Sequence, residues 1–151
     1  MVNHPELSGD ILDGSDPPDF VIDTKAGHKV SVELVEFVNE KLLQEIIELR
    51  RKGIDVTSHS SGFYERAQWD EKSFLTKLRS IISKKSTVYE HNDVWIDILL
   101  IHTAEPWLFE NDVEKWLKNA TICGHRNIKR IHFMMAYMPE RKPRHPLFQV
   151  S

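Results

Sequence analysis

Asp19 and Glu33 are the residues around which a reaction centre would be built. Asp19 follows Pro17 and Pro18 at the mouth of the short β-prone run Phe20-Val21-Ile22, and Glu33 lies 14 positions on, inside Ser31-Val32-Glu33-Leu34-Val35-Glu36. Two paired strands would bring these carboxylates together. At a separation of about 4 Å they would repel by roughly 4 kcal/mol at an effective dielectric of 20, so they must bind a cation, share a proton or stay apart. A hard divalent ion solves the problem. Mg²⁺ takes one or two carboxylates plus water and phosphate, and an ion so held lowers the pKa of a bound water and neutralises charge developing on a phosphodiester. The same residues have a plain structural reading: Asp after Pro-Pro suits a turn, and Glu33 would pair with Lys29 or sit at an exposed edge.

Other chemistry finds less support. Eight histidines suggest zinc, yet there is no His-Glu-x-x-His, no Cys-x-x-Cys and no second cysteine to join Cys123-Gly124-His125. Cys123 is expected to be a small packing residue rather than a nucleophile. His59-Ser60-Ser61-Gly62 lacks the glycines that flank a nucleophile elbow, and no Gly-rich phosphate loop is present. Trp69, Trp95, Trp107 and Trp116 fall at helix starts, in a strand and on an apolar stripe, as core aromatics do. Asp97 interrupts an otherwise apolar run and needs a partner, either a structural Lys or Arg or a metal; it is left outside the site.

The elements that would position these groups follow from periodicity. After an acidic leader over residues 1–15, Phe20–Ile22 and the run from Val30 to Phe37 read as a hairpin about the turn Asp23-Thr24-Lys25-Ala26-Gly27, with Lys29, Ser31, Glu33 and Val35 on one face. Helical spacing then governs Val38, Leu42, Leu43, Ile46, Ile47 and Leu49, up to Gly53. Asp70 is the expected N-cap of a second helix with the stripe Phe74, Leu75, Leu78, Ile81, Ile82, and Lys77, Lys84 and Lys85 off it. Val94–Ile101 is too continuous to face water and reads as a buried central strand. Phe109, Val113, Trp116 and Leu117 mark a third helix, and Ile128–Met138 a last strand. This order predicts one α/β domain over residues 1–151, a sandwich around a mixed sheet whose first pair is antiparallel.

Composition narrows the classes. With 40% hydrophobic and 28% charged residues, 6 Gly and 7 Pro, the chain is neither disordered nor fibrous. One cysteine excludes a disulfide scaffold and fits the cytoplasm, and no apolar run or basic leader predicts membrane insertion or export. The net charge of -3 conceals an asymmetry: residues 1–23 carry six acids and no Lys or Arg, while residues 125–151 sum to +5. Lys129, Arg130, Arg141, Lys142 and Arg144 are therefore the candidate nucleic-acid contacts, the last three in a basic C-terminal tail over 139–151 that would otherwise be simply solvated.

Pro18-Asp19, a hairpin turn and Glu33 in an apolar strand followed by a helix resemble the PD-(D/E)xK nuclease superfamily, over residues 16–52 by motif and as far as Ile101 by element order. The resemblance implies the restriction-endonuclease-like αβα sandwich with a central mixed sheet. It also implies Asp19 and Glu33 as ligands of Mg²⁺ or Mn²⁺, the main-chain carbonyl of Leu34 as a third oxygen, and hydrolysis of phosphodiesters in DNA or RNA. Glu6 would match the acid that many members carry on a preceding helix. The family's Lys, two residues after the Glu, is replaced here by Val35. The catalytic cation would then come from Lys29 or Lys41, with Gln44, Lys77 and Lys84 as further candidates, and without one the site would be slow. The alternative is an inactive nuclease-derived domain that binds protein or nucleic acid. Oligomeric state stays open, a homodimer included.

Overall fold

The computed structural model describes residues 8–55, 66–136, 138, 140 and 145–151. Its elements are β1 (Gly9–Asp13), β2 (Phe20–Thr24), β3 (Lys29–Glu36), α1 (Glu40–Arg51), α2 (Glu71–His91), β4 (Ile96–His102), α3 (Glu110–Asn119), β5 (Ile128–Met134) and β6 (Leu147–Gln149). The strands form one six-stranded mixed sheet in sequential order. β1, β2 and β3 make an antiparallel meander, β3, β4 and β5 run parallel, and β6 returns antiparallel along β5.

The expected hairpin is present, with Phe20 opposite Val32 and Asp23 opposite Lys29. Two strands lie where irregular chain was expected: β1 within the acidic leader and β6 within the basic tail. β1 is exposed throughout, so its pairing owes little to burial and much to the ladder with β2. Gly9 permits that ladder, because a Cβ there would meet the carbonyl oxygen of Asp23 at 2.0 Å.

Asp70 caps α2 as expected, accepting from Ser73 N while the Ser73 hydroxyl accepts from Asp70 N, a reciprocal capping box. α2 runs further than its stripe suggested, to His91, and buries Ser86 and Tyr89 beyond Ile82. Alternation along the strands places Leu99, Ile101, Ile131 and Phe133 on one face, and α2 and α3 bury Phe74, Leu78, Val113 and Trp116 in the same cluster. Phe37, Phe74 and Phe133 meet with ring centroids 5.3–5.4 Å apart, two of the three pairs edge-on, an arrangement that adds roughly 0.5–1.5 kcal/mol per pair to the area buried. α1 packs apart from this, through Leu42 and Ile46 against Ala67 and Trp107.

Two expectations for single residues fail. Trp95 precedes β4 with 62% of its surface exposed, since it stands outside the alternating ladder. Cys123 is exposed in the α3–β5 connection and is no packing residue. Asp97, by contrast, has the structural partners its burial requires: its Oδ2 accepts from Ser31 N and Ser31 Oγ, each at 2.9 Å, and Oδ1 accepts from Lys129 Nζ. Burial opposes its ionisation, but Lys129 and Ser31 outweigh it and hold the carboxyl below the usual range.

Because the folded pKa of Asp97 is depressed, its contribution to stability is complete above the unfolded value of about 3.9 and is lost as pH falls through the folded one. Asp97→Asn should cost about 1 kcal/mol in urea unfolding at pH 7 and much less near pH 2, giving a shallower acid limb than the parent. An identical acid limb would show that the carboxylate is not ionised in this network.

Candidate functional site

The site is assembled where β2 begins. The β2–β3 pairing ends at Phe20 opposite Val32, so Asp19 and Glu33 are the residues that follow on either side of its last pair. Pro18, without an N–H, has no donor to offer β3, and its carbonyl accepts from Asp16 N at 3.1 Å. The Leu34 N–H is taken by Asp19, whose Oδ2 accepts it at 2.7 Å. Asp19 is thereby fixed against the β3 main chain by its own side chain.

The turn leading into Asp19 is equally constrained. Gly14 N donates to the Asp19 carbonyl at 2.8 Å, and a Cβ on Gly14 would lie 1.8 Å from the carbonyl oxygen of Pro18. Only glycine fits there, so the Pro-Pro-Asp corner is clamped between β1 and β3.

Glu33 is 4% exposed. By alternation its side chain shares the face of Ser31 and Val35, the face α2 covers. Lys85 reaches down from α2 and donates from Nζ to Glu33 Oε1 at 2.7 Å. Glu33 Oε2 and the phenol oxygen of Tyr89, one turn further along α2, are both buried and neither completes a hydrogen bond. The Lys85 ammonium lies 5.8 Å from the centroid of the Tyr89 ring. Burial raises the Tyr89 phenol well above its ordinary range, and the carboxylates of Glu33 and Asp19 push it higher. Both acids therefore act on one phenol, and hydrogen bonding to Glu33, incomplete in geometry, adds to the rise.

None of the lysines expected from the sequence holds this position. Lys29 begins β3, four residues and about 13 Å before Glu33, opposite Asp23. Lys41 is exposed near the start of α1 and lines a groove there with Gln44 absent from its walls. Lys77 pairs with Glu40 at 3.0 Å, drawing the Glu40 carboxyl below its usual range, and Lys84 lines the same groove. Lys129 is spent on Asp97, and Arg130, the next residue along β5, faces the other side of the sheet, so these two form no common patch. Glu6, Arg141, Lys142, Arg144 and the His59–Gly62 segment lie outside the described residues.

Lys85 carries a signal that the stripe, cut short at Ile82, concealed. Leu78, Ile82, Lys85 and Tyr89 recur at spacings of four, three and four, which places the lysine in the buried row itself. A cation in such a row demands a buried acid opposite.

Among the described residues no group of three or more His, Cys, Asp or Glu side chains gathers as a metal site, so an ion here would rest on Asp19, Glu33 and main-chain oxygen. No helix among them is long and apolar enough to cross a membrane. Removing Lys85 strands a buried carboxylate: Lys85→Met should cost about 2 kcal/mol in chemical denaturation, less than the 3–5 of a fully enclosed pair because the lysine is partly open. Glu33→Gln added to it should recover at least about 1 kcal/mol in a double-mutant cycle, and strict additivity would refute the coupling. No family model, curated protein or solved structure matches the chain.

Proposed function

We propose that the protein is a divalent-metal-dependent phosphodiesterase of the PD-(D/E)xK type, acting on nucleic acid, with the motif lysine supplied by Lys85 of α2. One observation carries this reading: Lys85 Nζ binds Glu33 Oε1 while Oε2 of the same carboxylate is buried, and the Asp19 carboxylate is fixed on the N–H of the next residue, Leu34. The meander β1–β2–β3, the helices that follow and the parallel return of β4 support the restriction-endonuclease-like sandwich as its fold.

The donors suit a hard cation. Glu33 offers a buried carboxylate oxygen, Asp19 a carboxylate of which one oxygen is committed to Leu34 N–H, and Leu34 a main-chain carbonyl. Bound there, Mg²⁺ or Mn²⁺ would acidify a coordinated water and neutralise charge on the phosphate. The remaining work falls to the chain. Lys85, held on Glu33, presents further N–H donors to a water or to a phosphate oxygen entering beside the carboxylates. Tyr89, kept protonated by burial and by both acids, acts as a donor and never as a base.

A specific observation favours the non-catalytic alternative: Glu33 is 4% exposed and its other oxygen is already neutralised by Lys85. In that reading the ion pair is permanent and the domain only binds. The two are separated by titrating the protein with Mn²⁺ and by following cleavage of single- and double-stranded DNA and RNA, with chelator as control. The nuclease reading expects Mn²⁺ binding that Glu33→Gln and Asp19→Asn abolish, and cleavage reduced about 10²-fold or more by either change and by Lys85→Met. Absence of Mn²⁺ binding in the parent, or cutting that survives both acid substitutions, removes it.

A further inference from the structure

The exposed side of α2 forms one wall of a groove of about 710 Å³ whose other wall is the start of α1. A second groove of about 320 Å³ shares Glu40, Lys77, Ser80 and Lys84 with it and ends at Lys85 and Val88. The two are continuous, and they lead from Trp69 to the lysine that holds Glu33. Along this path α2 presents Ser73, Lys77, Ser80 and Lys84, spaced four, three and four apart and so aligned on one helix face. Lys41 and Lys72 add to them from the wider end.

We infer that this groove binds the backbone of a single-stranded nucleic acid and delivers it to the Asp19–Glu33–Lys85 site. The inference takes from the proposed function only the identity of the anion, a phosphodiester chain. Two further features favour a single strand over a duplex. The groove is a concavity between two helices, in which one strand can lie, whereas a duplex would touch only its rim. Its far end holds an aromatic ring already fixed in place: Trp69 Nε1 donates to Glu105 Oε2 at 3.2 Å, and its ring lies 4.8 Å from that of Phe37. A rigid indole beside a row of ammonium and hydroxyl groups is what a base and its phosphates require. From the first turn of α2 to Lys85 is about 20 Å, the length of about six stacked nucleotides.

Glu40 works against this surface from its centre, tied to Lys77 and exposed. Neutralising it should therefore strengthen binding, an outcome that misfolding cannot imitate.

The test is fluorescence anisotropy with labelled ten-nucleotide single-stranded DNA and RNA in chelator, with the matching duplex and with polyglutamate of equal charge. Lys77→Ala combined with Lys84→Ala should weaken single-strand binding about tenfold at low salt and reduce the slope of log K against log salt by about 1.4, two phosphates' worth. Glu40→Gln should tighten binding roughly threefold by removing a like charge from the path. Unchanged affinity and slope in the lysine variant, tighter binding of duplex, or equal binding of polyglutamate would each overturn the inference. Cleavage that depends on Asp19 and Glu33 but ignores the groove lysines would remove the groove and leave the proposed function. Binding that follows the lysines without any cleavage would do the reverse.

Discussion

A carboxylate buried to 4% exposure must be paid for, and the Glu33–Lys85 ion pair is how this fold does so. An ionised group taken out of water costs several kcal/mol unless a counter-charge meets it with good geometry. The counter-charge here comes from another element, so α2 has to extend past Ile82, lie across β3 and carry a lysine in its buried row. Ser86 then reaches the Arg126 carbonyl, and Tyr89 closes over the carboxylates. The position of the longest helix on the sheet is thus tied to one acid, the same acid on which the proposed function is centred.

The second acid is held by the end of a ladder. Beyond Phe20 the Pro18 carbonyl accepts from Asp16 N within its own turn, and the Leu34 N–H is taken by the Asp19 side chain. The strand end is thereby a seat for a carboxylate, with Gly14 packed so closely against Pro18 that no side chain could intervene.

Much of this was legible in the sequence. The hairpin, the Asp70 cap, the central strand around Asp97 and the mixed sheet were carried by strong period and by turn chemistry, and burial enforces them. β1 was not legible, because Gly-Asp-Ile-Leu-Asp is short, flanked by acids and exposed in the fold, so it shows no burial pattern to detect. β6 is three residues long beside a basic stretch. In the candidate site Asp19 and Glu33 stood out through their neighbours, whereas the choice among lysines rested on how far α2 runs. With the stripe ended at Ile82, Lys85 looked like one more surface cation; with Tyr89 included, it falls among buried residues.

Glu33 and Lys85 are 52 positions apart, while Asp19 and Leu34 are only 15 apart. Closing the longer loop carries the greater entropic penalty, and contacts of wide separation form late. A two-stranded hairpin is marginal in water by itself, and Glu33 gains its counter-charge only when α2 docks. Formation of this ion pair is in this way tied to closure of the core beneath it.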